Sequence, residues 1–290
     1  MMTVEPDLNV LRAALRDESE RLAQAIHACA RLDQRVPGLD WTSEQLVAHL
    51  TVVYRVFAAT IRGERLPEGM ELVTAGAASL PQSVAAANAA SVAAVGFGSP
   101  TEAADELRSQ AGELLAALAP DRQIDVAELR PTPWYGSGIS LPLGTLAALA
   151  VSETLVHGLD LDRALGRRNA RLARPAAAAV APTVMSSMLP LLVDPRGVRG
   201  RDYGFELRVR GGRPFVLRIA EGRAWCENVG DDATNSTSGV DCVISLTGEA
   251  ALLIGFARRP LWRATATGAA LAYGRKPWLG LRFHTLFLTP

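Results

Sequence analysis

Near residue 195 the spacing of apolar residues changes. Before it they recur every third or fourth position. After it, F-E-L-R-V-R (205–210), F-V-L-R-I (215–219) and V-D-C-V-I-S-L (240–246) alternate apolar with polar. The first period puts side chains on one face of a helix and the second puts them on one face of a strand, so no single repeating element serves both. The chain therefore needs a helical region followed by a mixed one, and D-P-R-G-V-R-G (194–200) marks the change. At 290 residues and 49% apolar content there is enough chain to build a core in each.

The helical region divides at its breakers. Residues 7–34 place Leu8, Leu11, Leu15, Leu22, Ile26 and Cys29 at helical spacing, and Pro37-Gly38 ends the run. Thr42 and Gln45 form a capping box for a helix reaching Gly63, with Trp41 placed to pack on Leu46 as a hydrophobic staple. Residues 64–80 read as loop. Two helical pieces split near Gly96–Pro100 together supply a third bundle element. The loop R-P-T-P-W-Y-G-S-G-I-S leads into a helix from Pro142 to Gly166. Four elements of this kind predict a helix bundle. An alanine-rich helix over 174–193 precedes the mixed region, which reads as α+β with helices at G-E-A-A-L-L-I-G-F-A (248–257) and W-L-G-L-R-F-H-T-L-F-L (278–288), and G-D-D-A-T-N-S-T-S-G as a loop.

Charge and cysteine usage exclude several classes. Lys plus Arg equal Asp plus Glu at 30 each, so no overall field favours nucleic acid or an anionic membrane. No stretch reads as long enough for a membrane span, and the start lacks a basic segment followed by an apolar run, which predicts a soluble cytoplasmic protein. Cys29, Cys226 and Cys242 are odd in number and form no C-x-x-C pair, so a metal here would need imidazole and carboxylate ligands.

Such ligands stand in the last bundle helix. Glu153, His157 and Asp160 are spaced four and three apart and line one face of an apolar segment. His49 shares a face of the second helix with Leu46, Val53 and Phe57, which turns it inward, whereas His27 and His284 read as packing or partly exposed residues. Two donors at i and i+4 can reach one ion, and a histidine from a facing helix completes three ligands with an open fourth position, the arrangement of a catalytic site. A His, Glu, His set suits zinc or another divalent transition metal better than calcium or magnesium. Asp160 is placed to accept the second ring N–H of His157. The competing reading is a buried triad hydrogen-bonded only to itself.

The two stretches carrying these residues, V-P-G-L-D-W-T-S-E-Q-L-V-A-H-L (36–50) and E-T-L-V-H-G-L-D-L-D-R-A-L-G (153–166), resemble the mycothiol-dependent maleylpyruvate isomerase family of the DinB-like superfamily. The family pattern is roughly P-G-x-x-W-T-x-x-x-L-x-x-H-L, then E-x-x-x-H-x-x-D-L-x-x-A-x-G. The resemblance implies a DinB-like four-helix bundle over 1–168, a helical linker over 169–195 and a smaller α+β domain like sterol carrier protein-2 over 196–290. It implies His49, Glu153 and His157 as ligands to a divalent metal, zinc by preference, with Asp160 in support. It further implies mycothiol as thiol cosubstrate: a divalent cation lowers the pKa of a coordinated thiol, and the thiolate adds to a cis double bond, which rotates as a single bond before elimination gives the trans product. The alternatives that the same site leaves open for this chain are a mycothiol S-transferase and an enzyme of specialised metabolism. Two positions depart from the pattern. Gly158-Leu159 stands where bulkier residues such as Arg-Trp are common and is expected to alter the wall near the metal. Gly255-Phe256 stands where many relatives have Gly-Arg and would lack a positive charge used on substrate.

The partner implied is a small molecule, and oligomeric state is not legible. Trp134 and Tyr135, just before the metal helix, are placed to wall the pocket. Arg163, Arg258, Arg259 and Arg263 are candidates to hold a carboxylate, with 255–263 expected to face the metal end of the bundle, although arginine is frequent enough here that solvated surface is the commoner role. A contrary class is a binding protein with an apolar ligand in the second domain; a hydrolase using metal-bound water would need the same ligands.

Overall fold

Asp7 opens the first helix, α1 (Leu8–His27), by accepting the backbone N–H groups of Asn9 and Val10 on its carboxylate. The computed structural model describes residues 3–66, 79–167, 170–229 and 239–288. The chain divides into two units, Asp7–Ala173 and a second made of Met1–Pro6 with Arg174–Pro290. α1 ends at His27, earlier than the apolar spacing suggests, because Leu32 and Val36 are buried by a loop that packs back rather than by a continuing helical face.

In α2 (Ser43–Arg62) the capping box forms in full, with Gln45 N donating to Thr42 Oγ1 (3.3 Å) and Thr42 N donating to Gln45 Oε1 (2.9 Å). Gly63 closes the helix in the left-handed conformation at φ +70°. The next two helices, α3 (Leu80–Ala94) and α4 (Pro100–Ala117), do not act as one element, which corrects the expectation. α4 runs along both α1 and α2 and is the third member of the bundle, whereas α3 packs on α2 and on the segment Pro133–Tyr135. A hairpin of β1 (Leu129–Pro131) and β2 (Ser140–Pro142) then delivers the chain to α5 (Leu143–Ala164), which packs on α1 and α2. Nineteen of its residues are buried, more than in any other helix of the bundle.

The second unit starts with α6 (Arg174–Met188), continued by a 3-10 turn over Leu189–Leu192. These residues are long and apolar enough to cross a membrane by length and composition, with mean hydropathy 1.4, which corrects the expectation that no stretch is. Pro182 lies inside α6, and the helix is packed within its unit against β3 (Tyr203–Arg210), β4 (Phe215–Ala220) and α8 (Gly248–Gly255), as a core helix is. Gly248 permits the last of these contacts: a Cβ there would stand 2.4 Å from Ala178 N. Residues 3–6 belong to this unit, with Val4 N donating to Ser186 Oγ (2.9 Å) and Thr183 Oγ1 donating to Val4 O (2.7 Å).

Among the described residues the sheet has five strands in the order β5-β4-β3-β6-β7, with β5 (Arg223–Asn228), β6 (Cys242–Thr247) and β7 (Ala270–Tyr273). β3 and β6 are parallel and the other pairs antiparallel. Alternation puts Phe205, Leu207, Cys242 and Ile244 on one buried face, where Phe205 meets Phe283 edge-on at 4.9 Å. The single helix expected at 278–288 is instead α10 (Leu279–Arg282) with a 3-10 turn, because Phe287 leaves the helical path to pair with Val193 in an extended bridge. Two short helices, α7 (Pro195–Val198) and α9 (Leu261–Ala266), and strands β5 and β7 were not anticipated. Most of the loops expected at 64–80 and 230–239 lie outside the described residues.

Candidate metal centre

The cap at Thr42 sets the phase of α2, and two turns later that phase turns His49 into the bundle, where it is 3% exposed. On α5 the i, i+4 pair Glu153 and His157 faces it. One donor atom from each of the three lies within 4.8 Å of the others. Glu153 Oε2 stands 3.0 Å from His157 Nε2 and 3.5 Å from His49 Nε2, and the two imidazole rings meet edge-on at 5.0 Å. Sequence spacing thus identified residues that the fold brings together across two helices.

Each imidazole has a second partner on its other nitrogen. His157 Nδ1 lies 3.3 Å from Asp160 Oδ2, and Asp160 is fully buried. His49 Nδ1 lies 3.0 Å from Ser91 Oγ on α3, a contact between residues 42 positions apart that no local pattern signals. Both Nε2 atoms therefore turn toward Glu153. That of His49 is buried and makes no hydrogen bond. Such a group is costly unless something fills the space before it.

The electrostatics separate the three. Burial lowers His49 below the ordinary imidazole value and keeps it neutral. Burial acts the same way on His157, but the carboxylates of Asp160 and Glu153 outweigh it and raise that group. Burial would raise Glu153, yet its contacts with His157 and His49 hold it at about 2. The carboxylate is charged across the physiological range, and Glu153, the one partly exposed member, marks the side on which the cluster meets solvent.

Around this cluster Trp41 lies with its ring centroid 5.1 Å from His49 and 6.2 Å from His157, so a residue read as a helix staple also walls the site. Tyr54 on α2 and Thr154 on α5, both fully buried, are joined at 2.7 Å and tie together the two helices that carry the cluster. Trp134 and Tyr135 sit in the 3-10 turn of the hairpin before α5, and both are buried. Trp134 stacks on Phe57 of α2 at 5.6 Å, a packing role; burial raises the Tyr135 phenol and the Glu153 charge adds to that. Gly158 faces α1, where a Cβ would stand 3.1 Å from Leu22 Cδ2, so it shapes a helix contact rather than the wall near the cluster. Arg259 belongs to the second unit, where its guanidinium donates to Glu249 at 2.6 Å. Cys29, at the end of α1, donates to Ile26 O (2.9 Å), and burial pushes its thiol up.

No curated protein matches the chain. Among solved structures it is similar to the mycothiol-dependent maleylpyruvate isomerase in a histidine-to-alanine mutant form, at 12% identity and a TM-score of 0.50, covering 96% of this chain and 99% of that one. The same enzyme without the substitution gives 12% identity, the same coverage and a TM-score of 0.48. A sec-alkylsulfatase from Pseudomonas sp. is also similar at 14% identity and a TM-score of 0.31, with 94% of this chain covering 32% of that one. At such identity only the first likeness, with its TM-score of 0.50, enters the argument, and it bears on the fold alone. The family comparison carries more: residues 12–162, more than half of the chain and nearly all of the bundle, match the mycothiol maleylpyruvate isomerase N-terminal domain, and the chain belongs to that family.

Proposed function

We propose that this chain is a mycothiol-dependent metalloenzyme of the isomerase type, in which His49, Glu153 and His157 hold one divalent ion and a small unsaturated acid is the substrate. The observation that carries the reading is the buried, unbonded Nε2 of His49 facing a carboxylate at 3.5 Å. Ligands about 2.0–2.2 Å from a tetrahedral zinc stand roughly 3.3–3.6 Å apart, close to the 3.0 and 3.5 Å separations of Glu153 from the two imidazoles. Two imidazoles and one carboxylate suit zinc and leave a position open. A divalent ion there would supply a lowered thiol pKa, so that the nucleophile from mycothiol is a thiolate at neutral pH.

The chain's own residues supply the rest. Asp160 orients His157, and Tyr54 with Thr154 fixes the spacing of α2 and α5. Cys29 is drawn into a hydrogen bond to its own helix, which argues for an external thiol as nucleophile. That thiolate adds to one carbon of the cis double bond, the electron pair moves onto the conjugated carbonyl, the new single bond rotates, and elimination restores the double bond as trans and releases the thiolate.

The test is turnover against added thiol. With mycothiol and a cis α,β-unsaturated acid such as maleylpyruvate, isomerisation should appear, vanish on chelation and return with zinc; His49→Ala and Glu153→Gln should lose the ion while keeping the helical circular dichroism. Turnover that needs the metal but is indifferent to thiol would overturn the reading in favour of hydrolysis. A purified protein that takes up no divalent ion would overturn the metal site itself.

A further inference from the structure

We infer that Ser91 is a positioning residue for this site: it holds the proton of His49 on Nδ1 and thereby keeps the Nε2 lone pair free to ligate. The inference takes its functional meaning from the metal reading above, although the tautomer belongs to the metal-free protein.

The argument starts with α3. Its buried residues include Ser83, Ala87 and Ser91, spaced i, i+4 and i+8, a face of small side chains that lets the helix pack closely on α2. Ser91 is 3% exposed and reaches His49 Nδ1 at 3.0 Å. A serine hydroxyl has one proton to give and lone pairs to offer, so by itself it accommodates either imidazole tautomer. Here the proton is already committed, because Ser91 Oγ donates to the Asn88 carbonyl at 2.7 Å. What remains toward His49 is a lone pair. Nδ1 must then carry the hydrogen, and Nε2 is left bare.

That outcome opposes the local electrostatics. On the Nε2 side stands the Glu153 carboxylate at 3.5 Å, an ionised acceptor and so a stronger one than a hydroxyl. Without Ser91 the proton would move to Nε2, bonded to Glu153, and an imidazole protonated there cannot bind a metal through that atom. Ser91 and the Asn88 carbonyl therefore set the ring state that the site needs, the service that outer hydrogen-bond partners give to ligating histidines. It also accounts for α3, which lies outside the four-helix bundle yet is held against the ligand-bearing helix.

The experiment uses the full-length protein. In metal-free, 15N-histidine-labelled protein, long-range 15N–1H spectra should show His49 as the Nδ1–H tautomer. Ser91→Ala should shift it toward Nε2–H, and Ser91→Thr, which keeps the hydroxyl, should retain the original pattern. Zinc affinity by competition with a chromophoric chelator should fall about 10- to 100-fold in Ser91→Ala, the range seen for outer-partner losses, and by no more than a few-fold in Ser91→Thr. An alanine variant with unchanged tautomer and unchanged affinity overturns the inference. If the wild type binds no zinc, the metal reading falls and the tautomer spectra alone decide the role of Ser91. Should the alanine variant lose its native spectrum, Ser91→Cys, a weaker acceptor of similar size, is read in its place.

Discussion

The Tyr54–Thr154 bond links the helix of His49 to the helix of Glu153 and His157, and its two ends should respond unequally to mutation. Thr154 Oγ1 donates to the Ala150 carbonyl at 2.7 Å, so the Tyr54 hydroxyl is the donor across the 2.7 Å contact. Tyr54→Phe removes a donor and leaves Thr154 bonded to its own helix. The cost is one ordinary hydrogen bond, about 0.5–1.5 kcal/mol. Thr154→Val is nearly isosteric, but it strands a phenol hydroxyl on a residue with no exposure, and an unsatisfied buried donor costs about 1–3 kcal/mol, offset by about 0.8 kcal/mol for the added methyl. The double variant has no stranded group and should be no less stable than Thr154→Val alone, a coupling on the order of 1 kcal/mol. Urea unfolding followed by far-UV circular dichroism, in chelator so that metal plays no part, gives all four corners of the cycle. Strictly additive costs, or Tyr54→Phe as the more damaging single change, would refute this assignment of donor and acceptor.

Two further outcomes are expected. At Gly158, alanine should be close to neutral, because about 1 kcal/mol of helix propensity offsets a Cβ 3.1 Å from Leu22 and Arg21, whereas leucine should overpack the α1–α5 contact and cost about 1–3 kcal/mol by the same unfolding measurement. In the second unit Asp241 binds Arg275, Lys276 (3.0 Å) and the Gly204 N–H (3.3 Å), and these outweigh burial to lower its pKa from 3.8. A depressed folded-state pKa stabilises fully above the unfolded value and is lost as pH falls through the folded one. Asp241→Asn should therefore destabilise the fold at pH 7 by about 1 kcal/mol, a modest figure because Arg275 and Lys276 are partly solvated; it is read as a lower melting temperature, and the gap to wild type should narrow as pH falls below the unfolded value of 3.8 and close below the depressed folded one; a gap independent of pH would refute it.

How far the sequence reveals this molecule depends on the range of the interaction. The capping box of α2 and the line Glu153, His157 and Asp160 follow from residues within a turn or two of one another, and spacing locates them; His49, on another helix, is legible from the apolar face it shares and from the resemblance its stretch carries. Ser91 escapes because its partner is in another helix and a lone serine in an alanine-rich run has no signature. β5, R-A-W-C-E-N, buries only Cys226 among its residues, and β7 is four residues long at the sheet edge with exposed Leu271 and Tyr273, so neither shows the alternation that marks β3. The helix expected to end the chain fails for a related reason: Phe283 and Phe287 have helical spacing but are spent on Phe205 and on the bridge to Val193. Trp41 was visible as a cap residue, and only the fold brings its ring to the imidazoles.

Residues 3–6 are hydrogen-bonded to α6, and the whole bundle, Asp7–Ala173, lies between these partners along the chain. In topological terms the bundle is a parenthesis within the second unit. During synthesis the segment around Val4 emerges first and must wait for Thr183 and Ser186, while the bundle has all its members in hand as soon as α5 is made. Under tension applied from the N-terminal side, the load falls first on the hydrogen bonds to α6 and only afterwards on the helices that carry the histidines.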